Sequence, residues 1–270
     1  MHPFISVKEP YEIAPDTFVV PTIGQPPGAP VAVNLNTVVI RAAEPVVVDT
    51  GAAVIRDEWL DAVGSIVDLA DVRHVFISHD DNDHWGNALA VLELAPQAQL
   101  VSTWFLSERR SDTDIVPVDR QRWVNDGESF SAGDRELIAV RPPIFDGPTT
   151  RGLYDTKTGV YWAVDAFGSP VLEFTQYADE LDRAFWTQGD LDFNRFVSPW
   201  HTMLDAQRFG DAIDRVASLR PIAIASAHGP VVRGEMVDEA FRLARELPHI
   251  DPVAHPTQAD LDGMLAQMAA

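Results

Sequence analysis

The chain of 270 residues contains no cysteine. This excludes thiolate catalysis, iron–sulfur clusters and disulfides, and leaves oxygen and imidazole as the only donors for a metal. Positive charge is also scarce: 20 Lys and Arg stand against 41 Asp and Glu, for a net charge of −21. Such a surface repels nucleic acid phosphates and anionic lipid heads, so neither is an expected partner, and a nuclease is disfavoured. The opening MHPFISVKEPYEIAPD lacks the basic stretch and long apolar run of a secretory signal. No apolar run approaches the roughly 20 residues of a membrane span. A cytoplasmic location is the expectation. No repeat, low-complexity tract or shift of composition marks a boundary, and 46% hydrophobic residues are enough for a sizeable core. One domain over 1–270 is therefore expected. Histidine is missing over a long interval, with none between His84 and His201.

What is present is an alternation of strand-like and helix-like segments. VAVNLNTVVIR and EPVVVDT read as a hairpin of β-branched residues, and RHVFIS as a buried strand. Short strands are expected near QLVST, ELIAVR, GVYWAVD and PIAIASA. A helix from about Asp57 to Ala70 places Trp59, Leu60, Val63, Ile66 and Val67 on one face. Trp85 to Leu94 reads as another, and QYADELDRAFW, DAQRFGDAIDRVASL and EMVDEAFRLAREL as three more. After a Thr257 cap, Leu261, Met264, Leu265 and Met268 recur at helical spacing, which predicts a packed terminal helix. Mixed strands with helices outside predict an α/β (α+β) layered sandwich.

Four of these strands end on a residue able to bind a metal: Asp49, His79, Asp165 and His228. A rigid sheet aims such residues into a common crevice. The densest cluster is His79-Asp80-Asp81-Asn82-Asp83-His84. In extended backbone every second side chain points the same way, so His79, Asp81 and Asp83 converge.

This loop, followed by Trp85-Gly86, resembles the His-x-His-x-Asp-His loop of the metallo-β-lactamase superfamily. That fold is a four-layer αβ/βα sandwich with a dinuclear metal cleft at one edge of its sheets. Asp81 stands where the second histidine would be. An acidic residue there is similar to the flavodiiron and oxygen-binding diiron branch, which carries His-x-Glu-x-Asp-His. Asp165-Ala166-Phe167-Gly168 resembles that branch's bridging-aspartate strand, and Ala227-His228-Gly229-Pro230 its last histidine ligand. The segment at about 171–220 resembles its helical insert. The family histidine nineteen residues before the bridging aspartate is replaced by Asp146, in Pro142-Pro143-Ile144-Phe145-Asp146-Gly147-Pro148.

The resemblance implies that one ion takes His79, Asp81 and Asp146, the other Asp83, His228 and His84, with Asp165 bridging. Asp83 and His84 are the candidate catalytic residues. Four carboxylates drawn together without cations would repel, and two divalent ions cancel that charge. Iron leads on resemblance, with zinc or manganese as alternatives for a site of oxygen and imidazole donors. The implied activity is binding or reduction of dioxygen or nitric oxide, with electrons from a redox partner in trans, in a homodimer. The alternative is a hydrolase of a small substrate that uses a metal-bridging hydroxide oriented by Asp83. A module that binds without turnover is a third reading.

Competing structural roles exist for several of these residues. Asp81 or Asp83 would serve as the N-cap of the following helix. Asp146 precedes Gly147-Pro148 and suits a turn, and His84 is equally well placed beside a ligand as bound to the metal. Asp49 is expected to anchor a ligand rather than bind metal. His201 reads as a structural residue, Trp85 and Trp200 as core or pocket-wall aromatics, and His74, His249 and His255 as surface or capping histidines.

Overall fold

The computed structural model describes residue 2, residues 4–25 and residues 29–268. Two large sheets dominate it. The seven-stranded sheet runs in the order Gln121–Trp123, Gln99–Ser102, His74–Phe76, Val46–Val48, Thr37–Ile40, Thr17–Val20 and Tyr11–Ala14. Its first four strands are mutually parallel and the rest antiparallel. The six-stranded sheet runs Ser129–Ser131, Glu136–Val140, Gly152–Asp155, Val160–Trp162, Ala223–Ala225 and Val232–Arg233. Only the Val160–Trp162 and Ala223–Ala225 pair is parallel there. A small three-stranded sheet of Ile5–Val7, Thr22–Gly24 and Val33–Asn34 completes the set.

The pleat sorts each strand between two cores. Val46, Val48 and Phe76 face Leu137, Leu153 and Trp162 across the gap between the sheets. Their neighbours Val47, Val75 and Ile77 point outward and are covered by Trp59, Val63, Val91 and Leu92 of helices Arg56–Gly64 and Ala88–Leu94. On the other side Tyr161 and Ile224 are covered by Trp186, Ile213 and Phe241 of helices Arg183–Val197, Ala206–Ala217 and Glu235–Ala244. Burial on both faces is why these strands are near-continuous runs of apolar residues. Each buried Val or Ile contributes about 1.5–3 kcal/mol. The result is the expected four-layer α/β sandwich, and the predicted hairpin forms, with Val38 opposite Val48 and Ile40 opposite Val46. No helix among the described residues is long and apolar enough to cross a membrane.

Several local expectations need correction. The helix expected from Asp57 to Ala70 ends at Gly64 and is followed by a 3-10 turn at Leu69–Asp71. The expected Trp85–Leu94 helix is two pieces, Asn82–Trp85 and Ala88–Leu94. The break lies at Gly86 and Asn87, where tertiary contacts override periodicity. The Asn87 side chain donates to the Thr50 carbonyl at 2.7 Å, and a Cβ on Gly86 would lie 2.4 Å from the Gly51 carbonyl oxygen. The terminal helix Gln258–Met268 forms, but Leu261, Met264 and Leu265 are exposed, so it is not packed as expected. The Met268 side chain lies outside the described residues. His74 is buried between Glu44 and Phe130 rather than lying on the surface.

Candidate metal centre

The strands Val46–Val48 and His74–Phe76 are parallel, as are Val160–Trp162 and Ala223–Ala225. Their carboxyl ends deliver Asp49, His79, Asp165 and His228 to one edge of the sandwich. The chain turns sharply there. Asp49, Val164 and Phe167 adopt left-handed backbone conformations, with φ of 57°, 61° and 61°. For a β-branched residue such as Val164 this costs of order 1–3 kcal/mol, and such strain concentrates at functional sites. The surroundings hold it in place: the Val164 carbonyl accepts from Ala227 N and Ser226 Oγ, and Phe167 N donates to Asn194 Oδ1. The two strained residues flank Asp165 closely and aim its carboxylate into the crevice.

The seven residues expected at the site are brought together, as three overlapping groups of converging ligand atoms. Asp165 Oδ2 lies 3.6 Å from His79 Nε2. Its Oδ1 lies 3.1 Å from His228 Nε2 and 3.2 Å from His84 Nε2. The carboxylate thus faces one imidazole with one oxygen and two imidazoles with the other. Around His79 Nε2 stand Asp81 Oδ2 at 3.6 Å and Asp146 Oδ2 at 3.8 Å. Asp83 Oδ2 is 3.6 Å from both His84 Nε2 and His228 Nε2. Asp81 occupies the N-cap position of helix Asn82–Trp85, yet its side chain makes no capping hydrogen bond, which removes that competing role.

Orphaned polar atoms test whether cations fit. His79 Nε2, His84 Nε2 and Asp165 Oδ1 are buried without a hydrogen-bond partner among the described residues. Leaving such atoms bare costs about 1–3 kcal/mol each, and metal coordination satisfies them together. The separations between donors suit two ions that share Asp165, and the oxygen and imidazole set suits divalent iron, manganese or zinc.

The imidazoles are oriented from behind. Asp49 accepts from His84 Nδ1 at 2.8 Å, Ser78 N at 2.7 Å, Ser78 Oγ at 2.6 Å and Trp162 Nε1 at 3.0 Å. This places the His84 proton on Nδ1 and leaves Nε2 to face the centre. Asp49 thus holds the His84 ring from behind, with Nε2 turned toward Asp165. His228 Nδ1 donates to the Asn34 carbonyl at 2.9 Å.

The supporting residues were missed by sequence reasoning. Asp80 points away from its alternating neighbours. It accepts from Thr149 Oγ1 at 2.7 Å and pairs with Arg109 Nε at 2.6 Å, and Arg110 donates to its carbonyl. Asp80 thereby ties the His79 loop to the loop that carries Asp146. Ser198 Oγ and Trp200 Nε1 both donate to the Phe145 carbonyl, at 3.1 and 3.0 Å, and brace Asp146 from the other side. Period-two alternation was a usable signal for Asp80; nothing local marks the other contacts. His201, buried with Nδ1 on the Leu247 carbonyl, is structural as expected. Trp85 lies in the outer core, whereas His249 and His255 are exposed.

Electrostatics couples these groups. Burial lowers the proton affinity of His79, His84 and His228, but the facing carboxylates more than offset it and raise all three above the ordinary histidine value. Burial raises Asp165, yet the three imidazoliums hold it well below the carboxylate range. Asp146 is raised, by burial first and then by Asp165 and Asp81. In chelator-stripped protein the imidazolium protons substitute for cations. A raised histidine contributes stability that is complete below its unfolded value of 6.5 and lost as pH rises through the folded value. The Asp165 contribution is present above the carboxylate value of 3.8 and disappears only in acid. Asp190, raised to about 8 by burial, adds the same downward slope with or without metal. Metal requires neutral imidazole, so loading reverses the histidine term. The expected result is a Tm of the stripped protein that falls by several degrees more than that of the loaded protein between pH 6.5 and 9. Parallel curves from scanning calorimetry would refute it.

A family model described as ODP family beta lactamase matches residues 33–229, and the chain belongs to that family. Among curated proteins it is 27% identical over 209 residues to the type A flavoprotein fprA of Rhodobacter capsulatus, covering 75% of this chain and 46% of the relative. It is 25% identical over 209 residues to the anaerobic nitric oxide reductase flavorubredoxin of Salmonella arizonae, covering 74% and 42%. The chain thus spans less than half the length of these relatives. Among solved structures, the rubredoxin oxygen:oxidoreductase of Desulfovibrio gigas superposes with a TM-score of 0.79 at 17% identity, covering 91% of this chain and 63% of that one. It shares the fold.

Proposed function

We propose that this chain is the metal-bearing core of a diiron reductase of dioxygen or nitric oxide, supplied with electrons by a redox partner. The observation that carries the proposal is the placement of Asp165, one oxygen toward His79 and the other toward His84 and His228. Relatives named as a nitric oxide reductase and a flavoprotein support the redox reading. Two ferrous ions, when bound, supply electrons and substrate-binding positions for the reduction of a small diatomic molecule.

The protein's own groups position and shelter. His79, Asp81 and Asp146 hold one position, Asp83, His84 and His228 the other, and Asp165 both. Asp83 and His84, expected to act in catalysis, belong in this reading to the ligand set. Phe193, whose ring lies 5.4 Å from that of His228, and the Phe145–Trp200 pair at 5.0 Å give the centre apolar flanks. Such walls limit water and suit a small, weakly polar ligand. The hydrolytic alternative is disfavoured, because four carboxylates offset the charge of two divalent ions and weaken their Lewis acidity. The proposal includes a cytoplasmic homodimer, whose mass sedimentation measures.

The test is anaerobic loading with iron, followed by dioxygen or nitric oxide in the presence of a reduced flavodoxin-type donor. Consumption well above that of the donor alone, lost in Asp165→Asn, is expected. Absence of consumption, with zinc-loaded protein cleaving esters or phosphodiesters instead, would overturn the proposal.

A further inference from the structure

The two halves of the centre are chemically unequal. One position has a single imidazole nitrogen, that of His79, and three carboxylates, from Asp81, Asp146 and Asp165. The other position has two imidazole nitrogens, from His228 and from His84, whose Nε2 also converges with His79 but lies against the same Asp165 oxygen as His228, and two carboxylates, from Asp83 and Asp165. Exposure separates the positions chiefly at Asp81, since the His79 side chain is itself only 2% exposed. The side chains of Asp81 and Asp146 are 61% and 30% exposed, against 26% for Asp83, 13% for His228 and 1% for His84. Bracing separates them as well. His84 and His228 each donate their second ring nitrogen, to Asp49 and to the Asn34 carbonyl. His79 Nδ1 is buried with no partner among the described residues.

Each difference acts on metal binding in a known direction. The advantage of iron(II) over manganese(II) is sustained by imidazole and shrinks as hard carboxylate oxygen replaces it. A ligating histidine whose second nitrogen is bonded is better oriented and more basic, and loss of such a bond costs about 10–100-fold in affinity. Ligands open to water exchange their ion more readily than buried ones.

We infer that the two positions of this centre differ in selectivity: the two-imidazole position of His84 and His228 favours iron over manganese(II), while the carboxylate-rich position of His79 admits manganese(II) in place of iron more readily and releases its ion first. This rests on the dinuclear reading above. Asp146 is the residue that sets the difference, because a histidine there would give both positions two nitrogens.

The test is structural rather than catalytic. Stripped protein is loaded anaerobically with equimolar iron(II) and manganese(II), and anomalous diffraction is recorded on both sides of each metal's absorption edge. The manganese-to-iron ratio at the His79 position is expected to be about tenfold higher than at the His228 position. In Asp146→His that excess disappears, with the His228 position unchanged. Equal ratios in the wild type, or a manganese excess at the His228 position, would overturn the inference while leaving the dinuclear reading intact. An excess that survives in Asp146→His overturns the role given to that residue. No ion at either position would remove the dinuclear reading as well.

Discussion

Asp165→Asn will bring the metal content from about two ions per chain to nearly none. The substitution preserves volume in a side chain only 5% exposed, so packing is retained and the effect isolates charge and donor type. An amide replaces one carboxylate oxygen with an N–H donor, which must then face either His79 or the His84 and His228 pair. Whichever orientation it takes, one position loses a ligand, and both lose the shared negative charge that holds two cations near each other. Asp83→Asn is the control, because Asp83 faces only His84 and His228 and should cost a single ion. Elemental analysis beside circular dichroism separates metal loss from unfolding. Retention of two ions by folded Asp165→Asn would show that the carboxylate is not the bridge.

The second large effect is expected at Asp49, which is fully buried and accepts from four donors. Asparagine tolerates the left-handed backbone found there, with φ of 57°, so Asp49→Asn tests the carboxylate rather than the turn. The amide supplies one acceptor where the carboxylate supplied two, and its N–H₂ opposes at least one existing donor. Ser78 N, Trp162 Nε1 and His84 Nδ1 cannot all remain satisfied. At about 1–3 kcal/mol for each buried group left unpaired, the expected loss is about 3–5 kcal/mol. The His84 tautomer is also released, and metal affinity should fall about 10–100-fold. Denaturant unfolding of the stripped protein measures the first effect and competition with a chromophoric chelator the second. A loss below about 1 kcal/mol with unchanged affinity would show that the network does not orient His84.

Much of this organisation was written locally in the sequence. Strands buried on both faces must be apolar throughout, so Val46–Val48, His74–Phe76 and Ala223–Ala225 were legible, and their ends located Asp49, His79 and His228. The density of donors from His79 to His84 located the ligand loop, but the extended alternation expected there stops at Asp81, because Asn82–Trp85 is helical. What was not legible depends on partners distant in the chain. The helix break at Gly86 and Asn87 is imposed by Gly51 and Thr50. The role of Trp200 depends on the Phe145 carbonyl, 55 residues away. His74 read as a surface or capping histidine because its burial depends on Phe130 of the other sheet. Helical periodicity in Leu261, Met264 and Leu265 specified a helix but carried no information on what it would pack against.

Anomalous diffraction at the iron edge, from crystals of iron-loaded protein grown anaerobically, measures the central claim most directly. Two peaks about 3.5–4 Å apart, with Asp165 reaching both, are the expected result. A single peak, or two ions with separate and unshared ligands, would contradict it.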